Sequence, residues 1–230
     1  MKAIILAGGL GKRLKPLTDT IPKSMVSIGE KPILLWQIEW LKRYGVDEFV
    51  VCIGYLREKV MDFFGDGSRF GAPVRYVIEE KPLGTGGALR NASPHFPKSE
   101  PFFALNGDVV TDLDLGAVLA KHRQAKALGT LALVPLPSPY GIVVTDGADR
   151  ITSFVEKPRL TDKWINGGVY CFEPDVVRYL PEVGSVELDV FPVLAREGRL
   201  TASKHADGFW MSVDSPKDIE AAAKWLAGRD

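Results

Sequence analysis

The chain has 230 residues, 46% of them hydrophobic, enough for one large domain with a real core. Its 29 Lys and Arg balance 29 Asp and Glu, which leaves no basic excess for a nucleic acid and no acidic tail. Apolar runs such as Lys2 to Ala7 are far too short for a membrane span, and the N-terminus lacks a signal peptide's cleavage region, so a cytoplasmic protein with small-molecule partners is expected.

Met1 to Ala7 reads as an apolar strand that runs into Gly8-Gly9-Leu10-Gly11, a cluster that predicts a loop with unusual backbone angles. Pro32 stands where a helix would start; Ile33, Trp36, Trp40, Leu41 and Tyr44 then recur at helical spacing until Gly45, its C-terminal cap. Residues 49–53, 74–78, 102–105 and 131–134 are short β-branched or aromatic runs separated by helical or loop segments. Cys52 and Cys171 lie inside such apolar segments and read as reduced, structural thiols. The alternation predicts an α/β fold with a Rossmann-like, mostly parallel sheet, in which ligands bind beyond the carboxyl ends of the strands.

From about Pro135 the pattern shifts to shorter segments, 141–145, 151–156 and 166–172, which read as added antiparallel strands. Ser215, Pro216 and Asp218 form a capping box for a last helix, with Ile219, Ala222, Ala223 and Leu226 as its apolar face. The expectation is a single domain with one half at about 1–135 and an inserted antiparallel half at about 136–230, and no linker, repeat or further domain.

The glycine loop is not a Walker loop, since Leu6 stands where the first glycine belongs and Arg13 where the magnesium-binding hydroxyl belongs. The dinucleotide fingerprint is weakened by Leu14 in place of its third glycine. What remains is a loop whose amides can approach phosphates closely, with Lys12 and Arg13 at its end. A second cluster, Glu79-Glu80-Lys81-Pro82-Leu83-Gly84-Thr85-Gly86-Gly87, follows a strand and opens a helix. Glu79 can accept hydrogen bonds from a base edge, which favours guanine weakly because uracil and thymine also offer a donor. Asn106-Gly107-Asp108 sits at a strand's carboxyl end, where a hard carboxylate suits magnesium. Asp112 and Asp114 are placed to cap the helix that follows.

Residues 8–14, Pro16-Leu17-Thr18, Pro22-Lys23 and Lys31-Pro32 together resemble the N-terminal signature of the sugar-phosphate nucleotidyltransferase family. Lys12 replaces the threonine usual before the arginine. Tyr140-Gly141-Ile142-Val143, Glu156-Lys157-Pro158 and Ile165-Asn166-Gly167-Gly168-Val169-Tyr170 look like that family's three sugar-site elements, in the expected order.

The resemblance implies the nucleotide-diphospho-sugar transferase fold and a reaction of a nucleoside triphosphate with a sugar 1-phosphate that releases pyrophosphate. It implies that Arg13, Lys23 and Asp108 are catalytic and that Leu6, Gly8, Gly9, Gly11, Glu79, Gly84 and Thr85 hold the nucleotide. Gly141, Glu156, Lys157, Asn166 and Gly167 would hold the sugar phosphate, although a glutamate beside a lysine is also an ordinary surface ion pair. Asp108 and Asp214 would bind magnesium, with Asp214 taken from a later register because Ser212 occupies the position of the acid in many members. Asp214 has a second reading, as a residue that helps cap the last helix.

The base is left open between a guanylyltransferase for mannose or heptose 1-phosphate and a cytidylyl-, uridylyl- or thymidylyltransferase for glucose 1-phosphate or a related sugar. A regulatory subunit that binds a nucleotide sugar without turnover is the alternative of another class, and a dehydrogenase a weaker one. No nucleic-acid or membrane partner and no C-terminal β-helix domain are expected; a homodimer is allowed for.

Overall fold

The computed structural model describes residues 1–228. Strand β1 (Lys2–Leu6) leads through the glycine loop and short 3-10 turns to a small ribbon, β2 (Ser27–Ile28) and β3 (Lys31–Pro32), and then to helix α1 (Ile33–Lys42). Next come β4 (Glu48–Ile53), α2 (Arg57–Phe64), β5 (Val74–Ile78), α3 (Gly84–Asn91), β6 (Phe102–Asn106), β7 (Val109–Thr111) and α4 (Leu115–Ala125). The second half adds β8 (Gly129–Pro137), β9 (Ile142–Thr145), β10 (Ile151–Val155), β11 (Arg159–Phe172), a π-turn at Val186–Val190, α5 (Phe191–Arg196), β12 (Leu200–Lys204), β13 (Trp210–Ser212) and α6 (Pro216–Ala227).

One seven-stranded sheet, ordered β12-β8-β11-β6-β1-β4-β5, runs through both halves. Neighbours pair in parallel except at β11, which is antiparallel to both β6 and β8. The α/β fold with a mostly parallel sheet is thus as expected, and β9 and β10 form the expected antiparallel addition, a separate two-stranded ribbon.

Because strand side chains alternate, the two faces carry separate cores. On one, Ala3, Ile5, Val51 and Phe103 pack against Leu34, Ile38 and Leu41 of α1 and Val118 of α4. On the other, Ile4, Val50, Phe102, Tyr170 and Phe172 pack against Leu89 of α3 and Leu194 of α5. Cys52 and Cys171 are free and buried, and burial raises both thiols, that of Cys171 to about 12, so neither is a nucleophile.

A third cluster positions the site: Leu14, Val26, Ile28, Ile33, Val110, Val213 and Ala222 bring the loop after β1, the β2–β3 ribbon, β7 and α6 together. Burial of a side chain such as Leu14, 2% exposed, contributes about 1.5–3 kcal/mol, which anchors the turn that carries Arg13.

Three local expectations are corrected. Pro32 is the residue before the helix rather than its first member, because its ψ of 152° is extended while Ile33 already lies in α1. Of the loop glycines only Gly11 has a positive φ, 59°. Asp114 caps α4 by accepting from the Ala117 amide at 3.2 Å, but Asp112 does not cap it; its carboxylate accepts from the Phe209 amide at 2.7 Å and ties β7 to the approach of β13.

Candidate active site

The carboxyl ends of β1 and β6 and the first turn of α3 surround a cavity of about 490 Å³. Leu6, Gly8, Gly9, Gly11, Lys23, Glu79, Gly84, Thr85 and Asp108 all line it. Gly8 is a close-approach position, where a side-chain carbon would overlap the Glu79 carboxylate, whereas one on Gly9 would meet open space. Gly11 turns the chain in the left-handed region, and its carbonyl accepts from the buried Thr18 hydroxyl at 2.8 Å. Glu79 also accepts from the Leu83 amide at 3.3 Å. Burial raises its carboxyl above the ordinary glutamate value, with the amide partly offsetting the rise.

Two oxygens in the cavity wall, Ser24 Oγ and Asn106 Oδ1, are buried without a hydrogen-bond partner. Buried polar atoms are normally satisfied, so these mark acceptor or donor positions available to a ligand. Ser24 was not singled out in the sequence, and Asn106 only as a neighbour of Asp108 in the Asn106-Gly107-Asp108 motif, because an isolated Ser or Asn carries no pattern of its own until the fold buries it.

Asp108 follows β6 in a turn that is held twice. The Gln37 amide, buried on α1, donates to the carbonyls of Asn106 and Val109 at 2.8 Å each, and the Gly107 amide bonds Leu6 O at 2.9 Å. Chain reversal then brings Asp214 alongside: β13 pairs antiparallel with β7, Ser212 opposite Val109, and the Val213 amide bonds Asp108 O at 2.9 Å. The two carboxylates converge on one cation, Lys23 Nζ, which donates to Asp108 Oδ2 and, at 2.6 Å, to Asp214 Oδ1. Arg13 Nη2 lies 2.9 Å from the same Asp214 oxygen, with most of its side chain exposed.

Burial alone would raise the Asp214 carboxyl, but the hydrogen bond and charge of Lys23, the Ser212 hydroxyl at 2.9 Å and Arg13 outweigh it and hold it below the ordinary value. Ser212 thus supports the acid two residues on. Asp218 takes the capping task, accepting from the amides of Asp214 and Ser215 at 2.9 and 2.7 Å, so Asp214 keeps its side chain for the cation.

Among the described residues no three His, Cys, Asp or Glu gather as a metal cage. Magnesium needs none, because it takes one or two carboxylates and completes its shell with waters and substrate phosphates. Two hard carboxylates already sharing one cation fit that requirement.

The sugar-side residues divide into two groups. Asn166 and Gly167 lie in β11, where Gly167 O accepts from Trp210 Nε1 at 2.7 Å and Asn166 bonds Tyr170 OH at 2.9 Å. Gly141 and Glu156 meet at the base of the β9–β10 ribbon, where a side-chain carbon on Gly141 would touch Glu156 Oε2. Glu156 and Lys157 pair at 3.6 Å, both mostly exposed, and do not line the main cavity. Lys157 has a φ of 47°, an uncommon conformation for a side-chain-bearing residue.

Mannose-1-phosphate guanylyltransferase catalytic subunit beta of Danio rerio is 40% identical over 226 residues, which cover 95% of this chain and 62% of that protein. The UTP–glucose-1-phosphate uridylyltransferase of Synechocystis sp. is 34% identical over 249 residues, covering 100% of this chain and 64% of its own. The chain therefore spans less than two thirds of the length of these relatives. Among solved structures, HddC from Yersinia pseudotuberculosis superposes with a TM-score of 0.78 at 29% identity, covering 98% of this chain and 99% of that one. A family model described as nucleotidyl transferase matches residues 2–228, and the chain belongs to that family.

Proposed function

We propose that the protein is a sugar-1-phosphate nucleotidyltransferase that joins a nucleoside triphosphate to a sugar 1-phosphate and releases pyrophosphate. The observation that carries this reading is the convergence of Arg13 and Lys23, from the turns after β1, with the distant Asp108 and Asp214, beside a glycine-walled cavity at the carboxyl ends of β1 and β6.

In this reading the triphosphate lies along the glycine loop, and Lys23 and Arg13 face the α-phosphate and the departing pyrophosphate. The sugar phosphate enters between Asn166–Gly167 and Lys157, in line with the leaving group. A phosphate monoester is already a nucleophilic anion at neutral pH, so no general base is needed, and catalysis reduces to placement and charge stabilisation. Asp108 and Asp214 would hold magnesium, which when bound neutralises charge on the phosphoryl oxygens.

For the base and sugar we propose guanine, with mannose or heptose 1-phosphate. The half-buried Glu79 carboxylate supports guanine, whose N1–H and exocyclic amine both need acceptors, and so does the Danio rerio relative. The Synechocystis relative favours a second reading, uridylyl transfer to glucose 1-phosphate, with Glu79 accepting from one uracil N–H. A cytoplasmic location is proposed alongside, supported by the lack of any membrane-spanning helix among the described residues.

The test is a pyrophosphate-release screen of the common nucleoside triphosphates against several sugar 1-phosphates in magnesium. Release with GTP and mannose or heptose 1-phosphate is expected, and Asp108→Asn should abolish it while retaining the fold. No release with any pair, or undiminished release in Asp108→Asn, would refute the reading.

A further inference from the structure

The segment 181–190, which no motif singled out, leans on the first turn of α3. Gly84, Gly86 and Gly87 leave room for its backbone, and the amide of Gly86 bonds Gly184 O at 2.9 Å. Its Glu187 carboxylate accepts three hydroxyls. Thr85 Oγ1 and Ser185 Oγ each donate to Oε2 at 2.6 Å, and Tyr170 OH donates to Oε1 at 3.4 Å. Among the described residues the side-chain donors to Glu187 are these hydroxyls, with no lysine or arginine paired to it.

Two of the three donors continue into the site. Thr85 is in the wall of the nucleotide cavity, and its own oxygen accepts from the Val186 amide at 3.0 Å. Tyr170, fully buried, accepts at its hydroxyl from Asn166 Nδ2 at 2.9 Å, and Asn166 Oδ1 accepts from the Gly168 amide at 2.9 Å. An unbroken series of hydrogen bonds thus runs from the nucleotide wall through Glu187 to the strand proposed to hold the sugar.

We propose that Glu187 is a positioning residue that couples the two substrate sites. With the tyrosine proton committed to Glu187, Tyr170 can only accept from Asn166. The Asn166 amide is then oriented with its oxygen on Gly168 and its nitrogen on the tyrosine. On the nucleotide side, the same carboxylate fixes the Thr85 rotamer. A nucleotide that packs against Thr85 therefore stiffens the sugar strand before the sugar arrives, and ordering already present need not be supplied by the second ligand.

The coupling rests on the proposed reaction, whereas the positioning does not, and the experiment separates them. Amide hydrogen exchange needs no ligand: Glu187→Ala should speed exchange at Gly168, nineteen positions away in sequence, and Tyr170→Phe, which keeps the packing and removes only the hydroxyl, should do the same. For the coupling, mannose 1-phosphate is titrated calorimetrically with and without the α,β-methylene analogue of GTP in magnesium. Wild type should bind the sugar phosphate more tightly with the nucleotide present. In both variants that gain should fall about tenfold, the scale of one hydrogen bond to a charged group, and in Tyr170→Phe, which leaves Thr85 on Glu187, nucleotide affinity should be nearly unchanged.

Unchanged exchange at Gly168 in Tyr170→Phe would overturn the positioning role. Faster exchange together with an undiminished gain would overturn the coupling. Failure of wild type to bind either probe would refute the proposed substrates and with them the coupling, while the exchange result still decides the positioning. Should Glu187→Ala not fold, Tyr170→Phe and Glu187→Gln carry both measurements; the amide has one acceptor oxygen for three hydroxyls and should lose part of the effect.

Discussion

Lys23 and Asp214, 191 positions apart in sequence, are joined at 2.6 Å between Nζ and Oδ1, and Lys23 also donates to Asp108. One ammonium thus compensates two carboxylates drawn together by β7 and β13. Such a pair is costly without a cation between its members, since like charges at close range repel.

Lys23→Met should therefore lower both rate and stability. Removing the cation from a cluster that is only about a quarter exposed costs about 2 kcal/mol after allowance for screening by water, or about 4–8 °C in Tm for a chain of this size. Magnesium should restore more of that loss in Lys23→Met than it adds to wild type, because the freed carboxylates bind it without a competitor. Differential scanning with chelator and with magnesium reads this directly; an equal magnesium shift in the two proteins would show that Lys23 and the metal do not share the site.

Arg13 is held by Asp214 at 2.9 Å but is three-quarters exposed, an arm resting on the acid rather than a packed element. Arg13→Ala should leave the Tm almost unchanged. It should lower kcat by roughly 10²–10³, the scale of removing one group preorganised for transition-state charge. A loss confined to KM would place it in ground-state binding instead.

How much of this was legible from the residues alone depends on the range of the interaction. Gly8 to Arg13, Asp108 and the Ser215–Asp218 box are read from neighbours in sequence, because the backbone conformation they need is local. Asp214 was reachable only through resemblance and register; its pairing with Lys23 depends on β13 crossing to β7, which no short window contains. Ser24, Gln37 and Glu187 were missed for the same reason. Each is a polar residue whose role exists only once distant segments meet it, and strands such as β7 and β13, of three residues each, are too short for a period to show. The left-handed Lys157 was equally hidden, since lysine gives no sign of a positive φ.

Glu79 gives a pH test with opposite signs for stability and binding. Burial raises its carboxyl, so the folded chain holds the proton more tightly than the unfolded chain does. Stability from this group is therefore greatest below the ordinary glutamate value and is lost as pH rises through the raised one. Guanine binding needs the ionised form and should weaken as pH falls through that same raised value. Glu79→Gln should flatten both slopes, leaving the unliganded protein as stable as wild type or more so at neutral pH and GTP binding weaker. GTP titrations from mildly acidic to neutral pH, with melting curves in the same buffers, check it; a wild-type binding curve flat across that range would remove Glu79 from base recognition.

The roles proposed for Glu156 and Lys157 separate the sugar phosphate from the nucleotide. Both residues sit beyond the end of β10, mostly exposed and 3.6 Å apart, away from the cavity that the glycine loop lines. Lys157 pays for its φ of 47° with about 1 kcal/mol or more of backbone strain, and a plain surface ion pair has no need of that conformation. If the strain aims the ammonium at a phosphate, Lys157→Gly should raise stability by up to about 1 kcal/mol, while Lys157→Ala, which keeps the strain, should not. Both should weaken every sugar 1-phosphate to a similar degree, because a lysine acts as a point charge, and both should leave nucleotide binding in magnesium nearly intact. Glu156→Gln should instead alter the ranking among sugars, since a carboxylate that accepts from two hydroxyls discriminates by their geometry. Calorimetric titration of each variant with nucleotide and with a panel of sugar phosphates supplies both readouts. Equal weakening of nucleotide and sugar phosphate by Lys157→Gly would assign the residue to the triphosphate or to the fold, and the β9–β10 ribbon would have no part in sugar recognition.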